Sequence, residues 1–370
     1  MLGNTFGRIF RVTACGESYG GGLAAIVEGV PAGIPLTDAM IQEELDKRRP
    51  GQSELDSPRR ETDIARIFAG IGQEGLTTGA PVGIIVYNVD MQKIHVDQYR
   101  AVKHLFRPGH AEYTFFVKYG EHYDWCGAGR ASGRETVGRV AGGAVAKQVL
   151  ARHGIEVLAY VKESHGISAR PMGFDEVKAN YRANPLNCPD PEAAERMIAE
   201  ILRIKEEGDT CGGVIEIIVR GAPAGLGEPV FDKLSATIAH GLMSIGAVKG
   251  VEIGAGFGAA RMKGSECNDP PYIENGRVRF RTNNAGGLLG GITNGEDIVI
   301  RMAVKPTPTV SIEQDSVDKS KMREERLAAI TRRDATICPR IYPVAEAMVR
   351  IAVLDALFMM RGWERMQKGT

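Results

Sequence analysis

The sequence has few cysteines, few aromatic residues and no excess of either charge, and these shortages exclude several classes of protein. Its six cysteines are scattered and never form a C-x-x-C pair, which argues against a zinc site or a disulfide framework and fits a reducing, cytoplasmic compartment. Lysine plus arginine equals aspartate plus glutamate at 46 each, whereas a general nucleic-acid binder usually carries a basic excess. Nucleic acid is therefore not expected as a partner.

The chain also lacks a long apolar run. No stretch is apolar enough over a sufficient length to cross a membrane. The N-terminal segment MLGNTFGRIFRVT has no apolar core followed by a cleavage site, so it does not have the pattern of a signal peptide. The sequence predicts a protein with no membrane partner.

Glycine, in contrast, is abundant, at 46 of 370 residues, which is above ordinary usage. The glycines fall in clusters, and this indicates many tight turns and close backbone approaches. A hydrophobic content of 43% over this length is enough for a substantial core. Because no low-complexity linker interrupts the chain, residues 1–370 are interpreted as one domain.

Two segments of the chain resemble each other. Residues 24–36 read AAIVEGVPAGIPL and residues 215–229 read IEIIVRGAPAGLGEP. Each is an apolar run followed by Pro-Ala-Gly and then by a helical pattern, and the two lie about half the chain apart. The matching order of elements favours an internal duplication over chance similarity, with halves of roughly 1–190 and 191–370.

Residue patterns predict the main elements. Strands are predicted at 81–88, 214–219 and 298–304, and helices at 38–48, 133–152, 191–206, 232–245 and 343–360. Three polar segments, 49–63, 105–130 and 305–341, are predicted to be irregular, and long loops of this kind are often functional. Inside the helix at 133–152, the run AGGA at 141–144 indicates close packing against another backbone, because each glycine costs a helix about 1 kcal/mol relative to alanine.

The segment RASGRET, Arg130 to Thr136, is the strongest local candidate for an anion site. Ser132 and Glu135 have the S-x-x-E spacing of a capping box directly before the helix. The free amides of a helix start attract anions, and Arg130 and Arg134 flank that start with groups suited to phosphate or carboxylate. An ordinary capped helix with solvated arginines is the competing interpretation.

Two other motifs could carry chemistry. His110 follows Arg107 through a Pro-Gly turn, and an imidazole can donate or accept a proton near neutral pH, although a surface histidine is the alternative. The run NNAGGLLGG at 283–291 would let a flat or phosphorylated ligand approach the backbone, or would simply form tight turns. It is not the G-x-G-x-x-G dinucleotide fingerprint.

Basic residues cluster in two more places. Lys47, Arg48 and Arg49 end a predicted helix, with Arg59 and Arg60 in the loop after it, and Arg332-Arg333-Asp334 precedes Arg340. Cations at a helix end are often only dipole partners with solvated charges. An aspartate among arginines should stay ionised and could act as a base, unless the cluster is a surface salt-bridge patch.

Taken in order, these motifs resemble one family along nearly the whole chain. The blocks GNTFGRIFRVT, EGVPAGIPL, RRPGQS, FRPGHAEYT, GRASGRET, GAPAGLGEPVFDKL, SIGAVKGVEIG, NNAGGLLGGI and KPTP are similar to those of chorismate synthases. The resemblance implies an α+β fold, a β-α-β sandwich in which two antiparallel sheets enclose helices. It also implies a cytoplasmic homotetramer and a carbon–oxygen lyase that converts 5-enolpyruvylshikimate-3-phosphate to chorismate by anti-1,4-elimination of phosphate.

The resemblance further implies reduced FMN as the cofactor, supplied by an external flavin reductase that draws on NADPH, and it assigns site residues. Arg48, Arg107, Ser132, Gly133, Arg134 and Arg332 match substrate-binding positions. Arg130, Ser132, Ala247, Asn284, Gly287, Gly291, Ser316 and Arg332 match flavin-binding positions. His110 matches the histidine assigned to reduced flavin, and Asp334 matches the carboxylate near the reacting ring. No metal is implied.

The chain departs from the family pattern at four positions near the implied ligands. Where the family motif is Gly-Glu-Ser-His-Gly, this chain has Tyr19 in place of the histidine. In the family that histidine is assigned as proton donor to the leaving phosphate, so Tyr19 is the third candidate catalytic residue. Arg333 replaces a histidine, Glu54 replaces a basic residue, and Ile312 aligns with a lysine near the flavin phosphate. Two alternatives therefore stay open: a diverged paralogue acting on another anionic cyclic substrate, and a catalytically weak binding subunit.

Overall fold

The structure, a computed structural model, describes residues 3–55, 62–89, 93–328 and 334–368. Its strands are β1 (Thr5–Phe6), β2 (Arg11–Gly16), β3 (Gly22–Glu28), β4 (Ala65–Ala69), β5 (Val82–Tyr87), β6 (Glu156–Ser164), β7 (Ile167–Ser168), β8 (Gly213–Arg220), β9 (Val248–Ile253), β10 (Pro271–Glu274), β11 (Arg277–Phe280), β12 (Leu288–Leu289), β13 (Ile292–Thr293), β14 (Ile298–Val304), β15 (Gln314–Asp318) and β16 (Arg323–Leu327). Its α-helices are α1 (Asp38–Arg48), α2 (Lys93–Val102), α3 (Glu112–Tyr119), α4 (Thr136–Ala151), α5 (Phe174–Asn180), α6 (Pro191–Glu206), α7 (Leu234–Met243), α8 (Gly264–Cys267) and α9 (Cys338–Lys368).

Two five-stranded antiparallel sheets enclose a double layer of helices. The strand orders are β1-β2-β3-β5-β4 and β7-β6-β8-β14-β9. Helices α1 and α4 pack on the first sheet, α7 and α9 pack on the second, and α4 and α9 contact each other between them. The buried apolar residues of both sheets and the helix layers form one continuous core. The predicted α+β sandwich is confirmed.

The two sheets share one topology. Strands β2, β3, β4 and β5 correspond in order to β6, β8, β9 and β14, because each set is arranged first-second-fourth-third. In both sets a helix follows the second strand and a longer helix comes after the fourth. We propose that the repeat units divide between α4 and β6, near residue 154. This differs from the boundary expected near 190, because β6 already belongs to the second sheet; on this proposal α5 and α6 are an insertion within the second unit.

Most predicted elements occur where expected. Helices α1 and α6 have the predicted bounds, because each begins at a capping residue. Thr37 caps α1 by accepting a hydrogen bond from the Met40 amide at 3.3 Å. Asp190 caps α6, whose first residue is a proline. The stretches 105–130 and 305–341 are less irregular than predicted. They contain α3 and the β15–β16 hairpin, whose strongly polar strands QDSVD and REERL hide the alternation that marks a strand.

The small residues of α4 are buried against neighbouring backbones, as predicted. A β-carbon built on Gly143 would lie 2.5 Å from the Cα of Ala347 in α9. One built on Gly138 would lie 2.9 Å from the Ala14 side chain in β2. The absence of side chains at these positions lets α4 approach both α9 and the first sheet, which sets the spacing of the helix layers.

We expect Gly143→Ala to destabilise the protein by about 1–3 kcal/mol, the usual cost of overpacking a core, despite the better helix propensity of alanine. Gly173→Ala is the matched control, because nothing lies within 4 Å of a β-carbon built there. Urea unfolding of both variants measures the difference. Equal stability of the two variants would contradict the packing argument.

The helix layers also bury a network of charges that the sequence did not reveal. The Arg350 guanidinium donates to Glu44 at 2.6 Å and to Glu346 at 2.8 Å, and Lys47 lies 2.8 Å from Glu44. Each of these four residues is at most 6% exposed. The expectation that the cations ending α1 are solvated is therefore wrong for Lys47, whose charge is matched inside the core.

Among the described helices, none combines the length and the apolar character that a membrane span needs. All six cysteines are free thiols. Within the same described residues, no group of three or more histidine, cysteine or acidic side chains is arranged to hold a metal ion.

Candidate active site

A buried aspartate joins two of the predicted substrate-binding arginines. Asp63, 1% exposed, accepts a hydrogen bond from Arg48 at 2.6 Å through one oxygen and contacts Arg134 through the other. Arg48 ends α1, whereas Arg134 belongs to the short 3-10 helix Gly133–Glu135 that leads into α4. Burial alone would raise the pKa of Asp63, but attraction from Arg48 and Arg134 outweighs it and holds that pKa below its usual value. The two guanidiniums are thus held side by side.

Asn88 connects this pair to the loop that contains Tyr19. Its side-chain oxygen accepts a hydrogen bond from Arg134 Nε at 3.0 Å. Its amide nitrogen donates to the carbonyls of Glu17 at 2.9 Å and Gly20 at 2.8 Å. Asn88 therefore ties the loop 16–20 to Arg134.

Aromatic contacts extend the site from Tyr19 to Arg107. The Tyr19 and Tyr99 rings meet edge to face with centroids 5.6 Å apart. The Arg107 guanidinium carbon lies 5.2 Å from the Tyr99 ring centre, within the range of a cation–π contact. Gly127 leaves room for Tyr19, since a β-carbon there would lie 2.6 Å from its ring.

Glu112, the first residue of α3, holds Arg107. One carboxylate oxygen accepts a hydrogen bond from the Arg107 amide at 2.8 Å, and the other contacts the guanidinium. Both residues are buried. Nη2 of Arg107 also contacts this carboxylate, so Glu112 neutralises the guanidinium as well as holding it.

His110 lies on the same loop, between two cations. Its Nε2 lies 3.1 Å from the Thr309 hydroxyl, and Lys305 donates to the neighbouring Gly109 carbonyl at 2.7 Å. Burial, followed by repulsion from Arg107 and Lys305, lowers the pKa of His110 to about 3. This pKa lies below the neutral range in which an imidazole usually exchanges protons. An anion beside the two cations would weaken their repulsion and raise this pKa.

The pKa of His110 predicts acid sensitivity. Below about pH 6.5 the unfolded chain binds a proton at this residue that the folded chain does not bind until about pH 3, so stability falls on acidification across that window. We expect His110→Gln to remove about 2 kcal/mol of the stability loss between pH 7 and pH 5. Urea unfolding at both pH values measures it. An unchanged pH dependence in the variant would contradict the assignment.

The start of the α4 segment differs in part from the expected capping box. Ser132 caps it by accepting a hydrogen bond from the Arg134 amide at 3.3 Å, but the Glu135 carboxylate binds Arg139 at 3.0 Å instead of reaching back. Nothing lies within 4 Å of a β-carbon built on Gly133. The Ser132 hydroxyl and the Gly133 amide are therefore at an open helix start beside Arg134.

Arg130, in contrast, is engaged by the protein itself. Its guanidinium donates to the backbone carbonyls of Ala14 at 3.0 Å and Gly16 at 3.1 Å and to the Asn4 side chain. These contacts anchor the end of β2 beside the loop 16–20. The geometry assigns Arg130 a structural part in shaping the site.

The C-terminal cluster also reaches the arginine pair. Arg340 binds Asp334 at 2.9 Å and donates to the Arg48 carbonyl at 3.3 Å, so Asp334 adjoins the paired arginines. Arg332 and Arg333 lie outside the described residues, as do Arg59 and Arg60. The acidic Glu54 and the cationic Arg333, both departures from the family pattern, are predicted to pair directly or through Asp56. This stays a prediction, because Asp56 and Arg333 lie outside the described residues. Glu54 itself is exposed.

The residues matched to flavin binding fall in two groups. Ser316 donates to the Phe106 carbonyl at 2.8 Å, and the Ala247 carbonyl accepts a hydrogen bond from Lys305 at 2.9 Å; both therefore lie near the His110 loop. A β-carbon on Gly287 would instead contact Ile298, at the far end of β14, about 20 Å away along that strand. Asn284 and Gly291 belong to the same glycine-rich segment as Gly287.

Four contributors to the site were not recognised in the sequence: Asp63, Asn88, Tyr99 and Glu112. Each acts by holding another residue of the site. The signal for the two acids was present, since arginines predicted to lie near each other in a folded interior need nearby carboxylates. Tyr99 and Asn88 have no comparable signal.

The chain is similar to chorismate synthases by three comparisons. The sequence profile of the family described as chorismate synthase matches residues 10–358. Chorismate synthases of Acetivibrio thermocellus and Methanosarcina mazei are 59% and 50% identical, covering 98% and 96% of this chain and 96% of each relative. A crystal structure of chorismate synthase covers 96% of this chain and 93% of its own, with a TM-score of 0.75 and 32% identity. On these matches and on its fold, the chain belongs to the chorismate synthase family.

Proposed function

We propose that this chain catalyses the anti-1,4-elimination of phosphate from 5-enolpyruvylshikimate-3-phosphate to give chorismate, in the shikimate pathway of aromatic amino acid biosynthesis. The observation that carries the proposal is the set of three buried guanidiniums of Arg48, Arg107 and Arg134, held by Asp63 and Glu112. Among the described residues, these three guanidiniums are held by two carboxylates, an arrangement that favours a polyanionic ligand. A substrate with one phosphate and two carboxylates suits this arrangement.

The substrate anion is proposed to bind at the start of the α4 segment. Arg134, the Ser132 hydroxyl and the Gly133 amide provide donors for the phosphate, and the helix start adds a favourable partial charge. Arg48 and Arg107 would bind the remaining anionic groups, with Arg332 assigned to the same role on family grounds. Asp63 and Glu112 keep these donors in place, which reduces the reorganisation needed on binding.

Proton handling is assigned to His110, Asp334 and Tyr19. Neutral His110 can accept a proton once an anion offsets Arg107 and Lys305. Asp334, beside Arg340, is a carboxylate suited to accept the ring proton. Tyr19 can donate a hydrogen bond to the leaving phosphate, although its hydroxyl releases a proton less readily than an imidazolium does.

The residues near His110 supply a cation and apolar surface to one small pocket, lined by Arg107, His110, Thr309 and Ile312. Its volume is about 10 Å³, room for one water-sized group, so a flavin phosphate or ring would enter only if these side chains moved apart. Ala247 and Ser316 adjoin this group, whereas Arg130, Asn284, Gly287 and Gly291 remain assigned on family grounds. The chemistry that reduced FMN supplies when bound is transient electron donation. A homotetramer, a cytoplasmic location and an external flavin reductase are proposed on the same grounds.

We expect this chain to bind FMN weakly and Ile312→Lys to bind it roughly 10- to 100-fold more tightly. Ile312 is 45% exposed and lines the pocket beside Arg107, so a lysine there can add a charge-assisted hydrogen bond of about 1.5–3 kcal/mol. FMN fluorescence titration measures the affinity, with Val278→Lys on the distant β10–β11 hairpin as control. Submicromolar affinity of the unaltered chain, or no gain in the variant, would contradict the assignment.

Anaerobic turnover tests the function. Purified protein, reduced FMN and 5-enolpyruvylshikimate-3-phosphate should produce the absorbance of chorismate, and Arg134→Gln should abolish it. A folded protein that binds FMN but forms no chorismate would favour the diverged paralogue acting on another cyclic anion. A protein that binds anions but neither FMN nor this substrate would favour the binding subunit.

A further inference from the structure

A second basic cavity lies at the other end of α4. It is a cleft of about 520 Å³ between the turn after β3, the end of α4 and the end of α9. Helix α4 lies between Arg152, which lines the cleft, and Arg134, which precedes the helix. At a rise of about 1.5 Å per residue, the length of this helix places the cleft about 25 Å from the pair formed by Arg48 and Arg134. It is therefore separate from the site of the elimination.

The cleft combines an apolar floor with a basic rim. Pro31, Ile34, Val149 and Phe358 contribute apolar surface. The rim carries four nitrogen-bearing side chains: Arg152, His153, Arg361 and Arg365. Small-molecule sites typically have volumes of about 300–1,000 Å³, mostly apolar walls and a few convergent polar groups, and this cleft has all three properties.

The rim has no acidic partner among the described residues. Arg152 donates to the Gly33 carbonyl at 2.8 Å, and Arg361 donates to His153 Nδ1 at 3.2 Å. In contrast, the exposed Arg203 contacts two carboxylates. Burial, with repulsion from Arg361 and Arg152, lowers the pKa of His153, so its neutral form is favoured. The positive charge of the rim therefore comes from three arginines that are not neutralised locally.

We propose that this cleft binds a small cyclic anion carrying one or two carboxylates. The ring would rest on the apolar floor beside Phe358, and the carboxylates would bind Arg361 and Arg365, whose planar guanidiniums suit bidentate contacts. Binding would relieve the repulsion among the rim arginines. A ringless anion would lose the contact with the floor, and an uncharged ring would lose the contacts with the rim.

Calorimetric titration of the full chain tests this proposal with isophthalate as probe, and with inorganic phosphate and benzyl alcohol as the ringless and uncharged comparisons. Isophthalate should bind at least tenfold more tightly than either comparison. The double variant Arg361→Gln/Arg365→Gln should weaken isophthalate binding at least tenfold. Because the elimination site also favours dicarboxylates, the titration is repeated in Arg134→Gln, which weakens binding there and should leave isophthalate binding at the cleft intact; Arg203→Gln is the surface control.

Three results would overturn the proposal. Isophthalate binding that disappears in Arg134→Gln would assign the probe to the elimination site. Equal binding by the double variant and the unaltered chain would show that the rim arginines serve only the ends of α4 and α9. Phosphate binding as tight as isophthalate binding would remove the contribution of the apolar floor. Circular dichroism of each variant checks that a loss of isophthalate binding is not caused by unfolding.

Discussion

Asp63→Asn is expected to lower kcat/KM for chorismate formation at least a hundredfold, mainly through a higher KM. Asp63 is the shared partner of Arg48 and Arg134 and is 1% exposed. Asparagine is nearly the same size but neutral, so it leaves two buried guanidiniums that repel each other. Removing one member of a buried ion pair costs about 3–5 kcal/mol, and part of that cost would appear as displaced arginines and poorer substrate binding.

Anaerobic kinetics with saturating reduced FMN measure the effect of Asp63→Asn, and urea unfolding shows how much of it is stability. Asp175→Asn is the matched control, because Asp175 pairs with Arg220 at 2.9 Å with its own side chain 88% exposed, where an ion pair contributes little. A folded Asp63→Asn protein with unchanged KM would show that the arginine pair does not need its carboxylate. A loss confined to stability would assign Asp63 to the fold alone.

The fold could be predicted from local patterns because each element has a local cause. Thr37 and Asp190 mark helix starts, and the small residues of α4 mark a close packing that Gly143 and Ala347 confirm. The β15–β16 hairpin was missed because its stability comes from tertiary contacts, such as the hydrogen bond from the Phe106 amide to the Val317 carbonyl at 3.2 Å. Polar strands give no alternation to detect.

The candidate site, like the fold, contains some residues that local motifs reveal and others that only the folded chain reveals. Arg48, Arg107, Arg134 and His110 could be named from their motifs, because cations and imidazoles carry recognisable chemistry. The clustered arginines indicated that some carboxylates must hold them, but not which ones, since a carboxylate becomes a positioning residue only when the chain brings it to a cation. Glu112 is five residues from Arg107, but Asp63 and Arg134 are 71 residues apart in the chain. The pKa of His110 likewise depends on Lys305, which is distant in sequence.

Tyr19→His is expected to accelerate chorismate formation, by up to about a hundredfold. The family has a histidine here, and histidine has a reference pKa near 6.5 against about 10 for tyrosine, so it protonates a leaving group more readily at neutral pH. General-acid catalysis contributes about 10²–10⁴-fold. Phosphate is already a fair leaving group, which places the gain at the low end. Tyr19 packs against Tyr99 and Gly127, and the smaller imidazole fits the same space.

The comparison needs the two proteins at saturating reduced FMN with the same substrate, and Tyr119→His as control, because Tyr119 is 50% exposed on α3. The unaltered chain should turn over slowly but measurably, since Tyr19 can still donate a hydrogen bond to the phosphate and a fixed cation can stabilise the developing charge. A rate–pH profile that gains an acidic limb in Tyr19→His would identify the new group as the proton donor. If the unaltered chain is already fast and the histidine variant slower, tyrosine is a competent replacement and its neighbours, Tyr99 and Arg107, are where the compensation should be sought.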